Sequence, residues 1–405
     1  MSADTARTPG TTTLVVAAAV ILMLTMGARQ TTGLFVAPIH LDTGVGIATI
    51  SLALAIGQFV WGAVQPVFGA LADRHGSEPV LVGGGLLLAA GLALVPFLPS
   101  GPGLMLSLGV LTAAGAGAGS FSILIGATAG RLPPQRRSSA AGFINAGGSL
   151  GQFVFAPVLQ LVIGAAGWTV AMLGMAATSL LTLPLARCFR RREGEAPPAH
   201  EGFEDRGLRH QLGVAARDRS YWLLHLGFFT CGVHVAFLVT HLPGEVALCG
   251  LPASVSAVSI ALIGLFNIAG SLAAGKLGER FRMKWILAAM YASRALLIAL
   301  FLLAPPSAWT FYLFAAGLGF TWLATVPPTA GLVGKLFGPR YLGTLFGLTL
   351  LSHQVGGFFG AWLGGVALEG TGSYQWMWYA DMALALVAAV ANAPIRERKL
   401  APAAA

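Results

Sequence analysis

The chain alternates long apolar segments with short polar or Pro/Gly-rich stretches over almost its whole length. A helix that crosses a membrane needs about 20 mostly apolar residues. Twelve segments meet this length: residues 12–39, 46–72, 79–98, 103–130, 140–165, 167–187, 219–243, 254–278, 284–304, 308–334, 342–367 and 374–394. The pattern predicts an all-α membrane protein with twelve transmembrane helices.

The longest polar stretch runs from Arg190 to Asp218 and divides the twelve segments into six and six. We therefore expect a six-helix bundle in residues 1–189, a cytoplasmic loop with room for one surface helix in 190–218, and a second bundle in 219–405. The first apolar segment is too long for the core of a signal peptide, so we expect it to be retained as a membrane helix.

The composition excludes several classes of protein. Only 10% of the residues are charged and 56% are hydrophobic, whereas a soluble domain carries about 25% charged residues. The three cysteines, Cys188, Cys231 and Cys249, are scattered, which predicts neither a disulfide framework nor a metal site. No nucleotide-binding loop or catalytic constellation is present, so we expect no cofactor and no enzyme activity.

The positive charges predict the orientation. All 24 lysines and arginines except Arg29 and Arg294 lie at the termini or in the connections that follow even-numbered segments. Cytoplasmic loops carry the excess of Lys and Arg, so both termini are predicted to be cytoplasmic. The net charge of +9 then reflects the inner side of a membrane, and nucleic acid is not an expected partner.

Two loop motifs of the first half return in the second half. Gly-Ala-Leu-Ala-Asp-Arg-His-Gly at residues 69–76 matches Gly-Lys-Leu-Gly-Glu-Arg at 275–280, and residues 130–136 match 334–340, at offsets of 206 and 204. Parallel repeats of this kind predict two pseudo-symmetric bundles related by an axis along the membrane normal.

With its twelve segments, long central loop and G-x-x-x-D-R-x-G signature, the chain resembles the major facilitator superfamily over nearly its whole length. The resemblance implies a cytoplasmic latch between inward and outward states, formed by Gly69, Asp73, Arg74, Gly76, Gly275, Glu279 and Arg280. Ser77 and Glu78 replace the usual basic pair of the signature, and the second copy has Phe281 and Arg282 where a glycine would stand.

Ionisable groups inside a membrane are costly and therefore mark functional sites. They are Arg29, His234, Arg294, His353 and Asp381, with His225 nearer the inner end of its segment. The repeat places Arg29 and His234 at equivalent positions, so we expect them to face each other across a central cavity. The alternatives are that Arg29 reaches the outer interface and that His234 bonds a helix backbone.

A guanidinium suits a carboxylate, and an imidazole titrates near neutral pH. Arg29, His234, His353, Gln30 and Trp322 are therefore predicted to bind substrate, and His234 and His353 to carry protons. His353 has a packing role as its alternative. Arg294 and Asp381 lie at similar depths and are predicted to form a structural ion pair; the alternative is that Arg294, one turn from Tyr291, binds substrate.

These features predict a monomeric, proton-coupled secondary transporter for a small organic anion in a bacterial inner membrane, in contact with lipid. The chain resembles members near the monocarboxylate and oxalate–formate porters, although Phe266 and Gly270 stand near the Asp and Arg positions of monocarboxylate porters. Drug efflux is the alternative transport function, and a membrane sensor or enzyme without transport is a remote one.

Overall fold

The protein is described by a computed structural model that covers residues 10–129, 131–132, 134–190, 207–338 and 342–397. Every regular element in these ranges is helical. Up to residue 190 the α-helices are α1 (Thr11–Gln30), α2 (Val36–Thr43), α3 (Ile47–His75), α4 (Ser77–Leu94), α5 (Gly101–Leu104), α6 (Ala113–Ala118), α7 (Phe121–Ala129), α8 (Pro134–Ser179) and α9 (Thr182–Ala186). From residue 207 onward they are α10 (Leu208–Arg217), α11 (Arg219–Leu248), α12 (Ala253–Arg280), α13 (Met283–Leu303), α14 (Ala308–Thr321), α15 (Val326–Phe337), α16 (Leu342–Thr371) and α17 (Gln375–Asn392).

Nine helical stretches of the described ranges are long and apolar enough to cross a membrane. One of them, Gly142–Phe189, has 48 residues, which is about 72 Å of helix and more than twice the roughly 30 Å of a hydrocarbon core. Gly167 interrupts it with a φ of 86°, between the predicted segments 140–165 and 167–187. The all-helical membrane architecture is confirmed, while the twelve crossings and the side of the termini stay predictions.

The first and fifth predicted segments cross as the seventh and eleventh do. A methyl group on Gly151 of α8 would overlap the carbonyl oxygen of Met23, and one on Gly356 of α16 would overlap the carbonyl oxygen of Phe229. Small residues at such crossings let two helix backbones approach closely. The same close contact therefore occurs at equivalent places in the two halves of the chain.

An acid–indole hydrogen bond also occurs twice. The indole Nε1–H of Trp168 donates to Asp42 Oδ2 at 3.0 Å, and that of Trp378 donates to Glu245 Oε2 at 3.1 Å. Each bond joins the end of the first segment of a half to the start of its sixth segment. The pair accords with the repeat, although neither loop motif of the sequence includes these residues.

The fourth and tenth segments are both broken near their middle. The first break lies between α6 and α7, and the second lies between α14 and α15. The last carbonyl groups of a helix have no intrahelical partner, so a break inside a membrane needs donors from elsewhere. The second break receives its donors from Arg294, as described below.

The repeated Gly-Arg and Gly-Lys loop motif ties the fourth and tenth segments to the ends of the sixth and twelfth. Arg131 donates to the carbonyl oxygens of Cys188 and Arg190 at 3.1 and 2.8 Å. Its counterpart Lys335 donates to Glu397 Oε1 at 2.7 Å. The matching positions Arg131 and Lys335 therefore both connect a middle segment to the end of the last segment of its half.

The two halves of the chain meet mainly along two helix pairs, and the short helical turn Thr32–Phe35 also packs against α11. Helix α3 packs against α16, where the backbone N–H of Ala48 donates to Glu369 Oε1 at 2.8 Å. Helix α8 packs against α12, where Asn267 Nδ2 donates to Ser149 Oγ at 2.9 Å. The central stretch contains one helix, α10, and residues 191–206 lie outside the described ranges. The boundaries at 189 and 219 stay predictions.

Candidate functional site

Arg29 lies in the last turn of α1 and extends toward α3. Its Nη2 donates a hydrogen bond to Gln58 Oε1, and its Cζ lies 4.2 Å from the centroid of the Trp61 ring. Gln58 and Trp61 are three residues apart on α3 and therefore share one helix face. The guanidinium is thus held between a neutral amide and an aromatic face.

No carboxylate within the described part of the chain forms an ion pair with Arg29. A guanidinium has five N–H donors, and one of them is engaged, by Gln58. The half-buried Arg29 side chain therefore has a positive charge that no described carboxylate neutralises. Most of its N–H donors are available to bind another partner.

Buried polar atoms without a partner lie in the same region. They include the donor Nε1 of Trp61 and the acceptors Oε1 of Gln30 and Oε1 of Gln354. The region is also the contact between the two halves, because Gln58 packs against Gly357 of α16 and Gln354 of α16 packs against Gly62. We call Arg29, Gln58 and Trp61, with Gln354 beside them, the Arg29 cluster.

The expected pairing of Arg29 with His234 across a cavity is not seen among the described residues. The buried imidazole of His234 donates from Nδ1 to Oδ2 of Asp381 in α17, inside its own half. A carboxylate buried in a helix needs a charged or hydrogen-bonding partner, and His234 supplies it. His234 therefore does not reach the Arg29 cluster in this conformation.

The expected ion pair between Arg294 and Asp381 is not formed. Asp381 accepts from His234, and Arg294 has other partners. Arg294 Nη2 donates to the carbonyl oxygens of Thr321 and Trp322, its Nη1 donates to Cys231 Sγ at 3.3 Å, and its Nε lies 3.4 Å from Thr321 Oγ1. These carbonyls end α14 and lack helical partners. Arg294 therefore caps the broken tenth segment, and the substrate-binding alternative for Arg294 loses its free donors.

Of the other predicted binding residues, Gln30 follows Arg29 in α1, and His353 and Trp322 lie in the second half of the chain. His353 Nδ1 accepts from Gln354 Nε2 at 3.1 Å, and its ring centroid is 5.1 Å from that of Phe228. Trp322 is fully buried at the break of the tenth segment, 6.3 Å from the His234 ring. Through Gln354, His353 is connected to the Arg29 cluster, whereas Trp322 belongs with His234 and Arg294.

Gln58 and Trp61 were not predicted from the sequence as the partners of Arg29. Both are polar positions of the second segment, and their spacing of three residues was the available signal. Cys231 was also missed: its thiol contacts Arg294 and lies 3.5 Å from Thr325 Oγ1. Nothing in a lone cysteine of an apolar segment indicates such a contact.

Only part of the predicted latch lies within the described residues. Gly76 ends α3 with a φ of 90°, a conformation that favours glycine. In the second copy Phe281 ends α12 with an ordinary φ of −114°, which explains why no glycine stands there. Arg74 and Arg280 are exposed, Gly69 faces Ile123, and Gly275 has open space. The side chains of Asp73 and Glu279 lie outside the described part.

Metal binding finds no support in the ranges that are described, because no group of three or more His, Cys, Asp or Glu side chains could hold an ion there. The chemistry of the region is that of hydrogen bonding and charge.

Known proteins resemble the chain along most of its length. The family model described as Major Facilitator Superfamily matches residues 18–361, with a second match over 255–404. Monocarboxylate transporter 13 of Rattus norvegicus is 29% identical over 343 residues, which is 81% of this chain and 75% of the relative. The oxalate:formate antiporter of Oxalobacter formigenes is 24% identical over 352 residues, covering 86% and 83%.

Solved structures share the fold. A bacterial homolog of the human lysosomal transporter Spinster, in an inward-facing and occupied conformation, superposes with a TM-score of 0.71. It is 16% identical and is covered over 93% of its length, against 94% of this chain.

Proposed function

The chain belongs to the Major Facilitator Superfamily, and we propose that it is a secondary transporter of a small organic anion, of the monocarboxylate type. Transport would proceed by alternating access and be coupled to protons. The expectation of a transporter rather than an enzyme agrees with the family and with the relatives, which are transporters.

The observation that carries the proposal is that Arg29 has no counter-ion among the described residues. A charge inside a membrane protein is normally paired, yet Arg29 has a neutral hydrogen-bond partner and an aromatic face. A carboxylate could accept two parallel N–H bonds from the guanidinium fork, and the unpartnered indole N–H of Trp61 would be a further donor nearby.

The place of the Arg29 cluster suits alternating access. It lies where α3 of one half meets α16 of the other, so a movement between the halves changes the surroundings of the guanidinium. In such folds substrate sites lie at the interface between repeats, and one repeat rocks against the other. An anion bound to Arg29 would be exposed first to one side of the membrane and then to the other.

The names of the relatives support the substrate class. One is called a monocarboxylate transporter and another an oxalate:formate antiporter. Both names describe transport of small carboxylates, which is the chemistry that an unpaired guanidinium selects.

The remaining features belong to the same proposal. The protein would span a bacterial inner membrane twelve times as a monomer, with bundles in residues 1–189 and 219–405 and both termini in the cytoplasm. The loop residues Gly69, Asp73, Arg74, Gly76, Gly275, Glu279 and Arg280 would form the cytoplasmic latch. Gln30 and His353 would contribute polar contacts near the anion, and His234 and His353 are the proton-carrying groups to be tested.

The experiment is uptake of radiolabelled L-lactate, formate and oxalate by liposomes that contain the purified chain. We expect Arg29→Lys to weaken transport, because lysine keeps the charge and loses the fork, and Arg29→Ala to nearly abolish it. Loss of two charge-assisted hydrogen bonds of about 1.5 kcal/mol each corresponds to a fall of roughly 100-fold.

The matched control is Arg209→Ala, which removes an exposed arginine of α10 and should leave uptake unchanged. A folded Arg29→Ala protein that transports these acids at the parental rate would contradict the proposal. Transport of neutral or cationic drugs by the unaltered chain, without transport of any acid, would favour efflux instead.

A further inference from the structure

Asp381 is the carboxylate that lies farthest from a helix end in the described part of the chain. It stands seven residues into the 18-residue helix α17 and is 1% exposed. Its Oδ2 accepts from Nδ1 of His234, which is also 1% exposed, and its Oδ1 has no partner. The second ring nitrogen of His234, Nε2, is likewise buried and without a partner.

The groups around this pair set its charge. Arg294 of α13 is the charged side chain that acts on Asp381. The titratable side chains around Arg294 are Cys231 of α11, with its Sγ 3.3 Å from Nη1, and Tyr291 of α13, whose ring centroid lies 5.4 Å from Cζ. His353 of α16 lies beside Cys231. The carboxylate of α11, Glu245, lies about three turns beyond His234 along that helix and accepts from Trp378.

The charges of Arg294 and Asp381 cancel when the imidazole of His234 is neutral. Arg294 carries one positive charge, which acts on Asp381 through space without a direct contact. An ionised Asp381 would supply one negative charge, to which a neutral imidazole can donate from Nδ1. A proton added at Nε2 would give the cluster a net charge of +1 in a dry region, where an unbalanced charge is unfavourable.

We infer that the His234–Asp381 pair is the proton-binding site of the transporter, with the proton carried on Nε2 of His234. The inference rests on the proposed function, and it separates the proton site in α11 and α17 from the anion site at Arg29. A bound anion would offset the charge of the added proton. By linkage, proton and anion then strengthen each other's binding to the same extent.

The structure also connects the two sites physically. Ala236, two residues after His234, packs with Ala55 and Ala361, and Gln58 packs against Gly357 beside Ala236. The partner of Arg29 therefore lies on the same packed contact of α3, α11 and α16. In this conformation His234 is 1% exposed, so loading of the proton requires a conformation that exposes the imidazole.

The test separates exchange from gradient-driven accumulation. Liposomes that contain the full chain are given radiolabelled L-lactate, either with lactate and equal pH on both sides or with an acidic outside. Each unit of pH gradient drives about tenfold accumulation when one proton accompanies one monocarboxylate. We expect Asp381→Asn and His234→Gln to retain exchange and to lose accumulation above the outside concentration.

Further variants test which side chain carries the proton. Asp381→Glu keeps a carboxyl and should restore accumulation, while Cys188→Ser, at a free cysteine of the first half, should respond to the gradient like the parental chain. Accumulation by Asp381→Asn or His234→Gln at the parental level would overturn the inference. Loss of the gradient response in His353→Gln, with both of those variants unaffected, would assign the proton to His353 and overturn it as well.

A measurement on the unaltered protein avoids dependence on how the variants fold. Addition of L-lactate to the detergent-solubilised chain in weak buffer should be accompanied by proton uptake, seen with a pH-sensitive dye. Lactate binding without proton uptake would overturn the inference. Failure of the proposed function is distinct, because the unaltered chain would then bind and exchange no organic anion at all.

Discussion

Arg29 and Arg294, the two arginines inside the predicted membrane segments, stand in contrasting surroundings. Arg294, 1% exposed, donates to the carbonyls of Thr321 and Trp322 and to the thiol of Cys231. Arg29 is half-buried and has one amide acceptor and one aromatic face. In both cases the membrane makes the charge costly, but only the surroundings of Arg294 satisfy the donors. The difference separates an arginine that completes the fold from one that is kept for a ligand.

The largest effect is expected for Arg294→Ala. The variant leaves the carbonyls at the end of α14 unpartnered and removes the positive charge near Asp381, so we expect a loss of about 3–5 kcal/mol in the free energy of unfolding. Thermal unfolding in detergent measures it, with Arg29→Ala as the matched comparison. Equal stability of the two variants would break the contrast between the arginines.

Gln58→Leu sharpens the contrast from the side of Arg29. Gln58 is the hydrogen-bond acceptor that orients the guanidinium, and loss of one bond to a charged group should reduce transport about tenfold. The rate of L-lactate exchange against its concentration is measured, with Gln65→Leu, seven residues farther along α3, as the control. Equal losses in the two variants would deny Gln58 a specific role.

A smaller effect is expected for Trp61→Phe. Phenylalanine keeps an aromatic face under Arg29 but lacks the indole N–H, so we expect a loss of about threefold in exchange rate, equivalent to less than 1 kcal/mol. Trp61→Ala, which removes the face as well, should lose more. Trp309→Phe, an exposed tryptophan of α14, controls for the type of substitution; a parental rate in Trp61→Ala would exclude the aromatic contact.

The smallest effect is expected for Thr321→Val. The hydroxyl lies 3.4 Å from Nε of Arg294, at the long limit of a hydrogen bond, and the two carbonyl bonds remain. The free energy of unfolding should fall by less than about 1 kcal/mol, as measured by thermal unfolding. A loss as large as that of Arg294→Ala would mean that the hydroxyl, and not the carbonyls, holds the arginine.

Much of the fold could be predicted because the membrane imposes it. Apolar length shows helices directly, and the loop motifs around Gly69 and Gly275 show the repeat. The acid–indole pairs of Asp42 with Trp168 and Glu245 with Trp378 could not be found this way. Their partners are far apart in the chain, and their spacing is not the same in the two halves.

The sequence predicted which residues belong to the site, but it did not predict which of them contact each other. The rarity of charge inside the segments pointed to Arg29, His234, Arg294 and Asp381, since each is costly there. Depth along a helix axis could not tell which way each side chain points around the axis. Arg294 and Asp381 therefore share a depth but have different partners, and the broken tenth segment, which attracts Arg294, leaves no mark in the apolar pattern.

The most direct test of the central claim is binding of an organic anion to Arg29. Thermal unfolding of the purified chain is followed while L-lactate, formate or oxalate is raised to about 100 times its dissociation constant, where a ligand of the folded state adds about 2.7 kcal/mol. We expect the parental chain to be stabilised by one of these acids, Arg29→Lys to be stabilised less, and Arg29→Ala not at all. An Arg29→Ala protein stabilised as much as the parental chain would contradict the account.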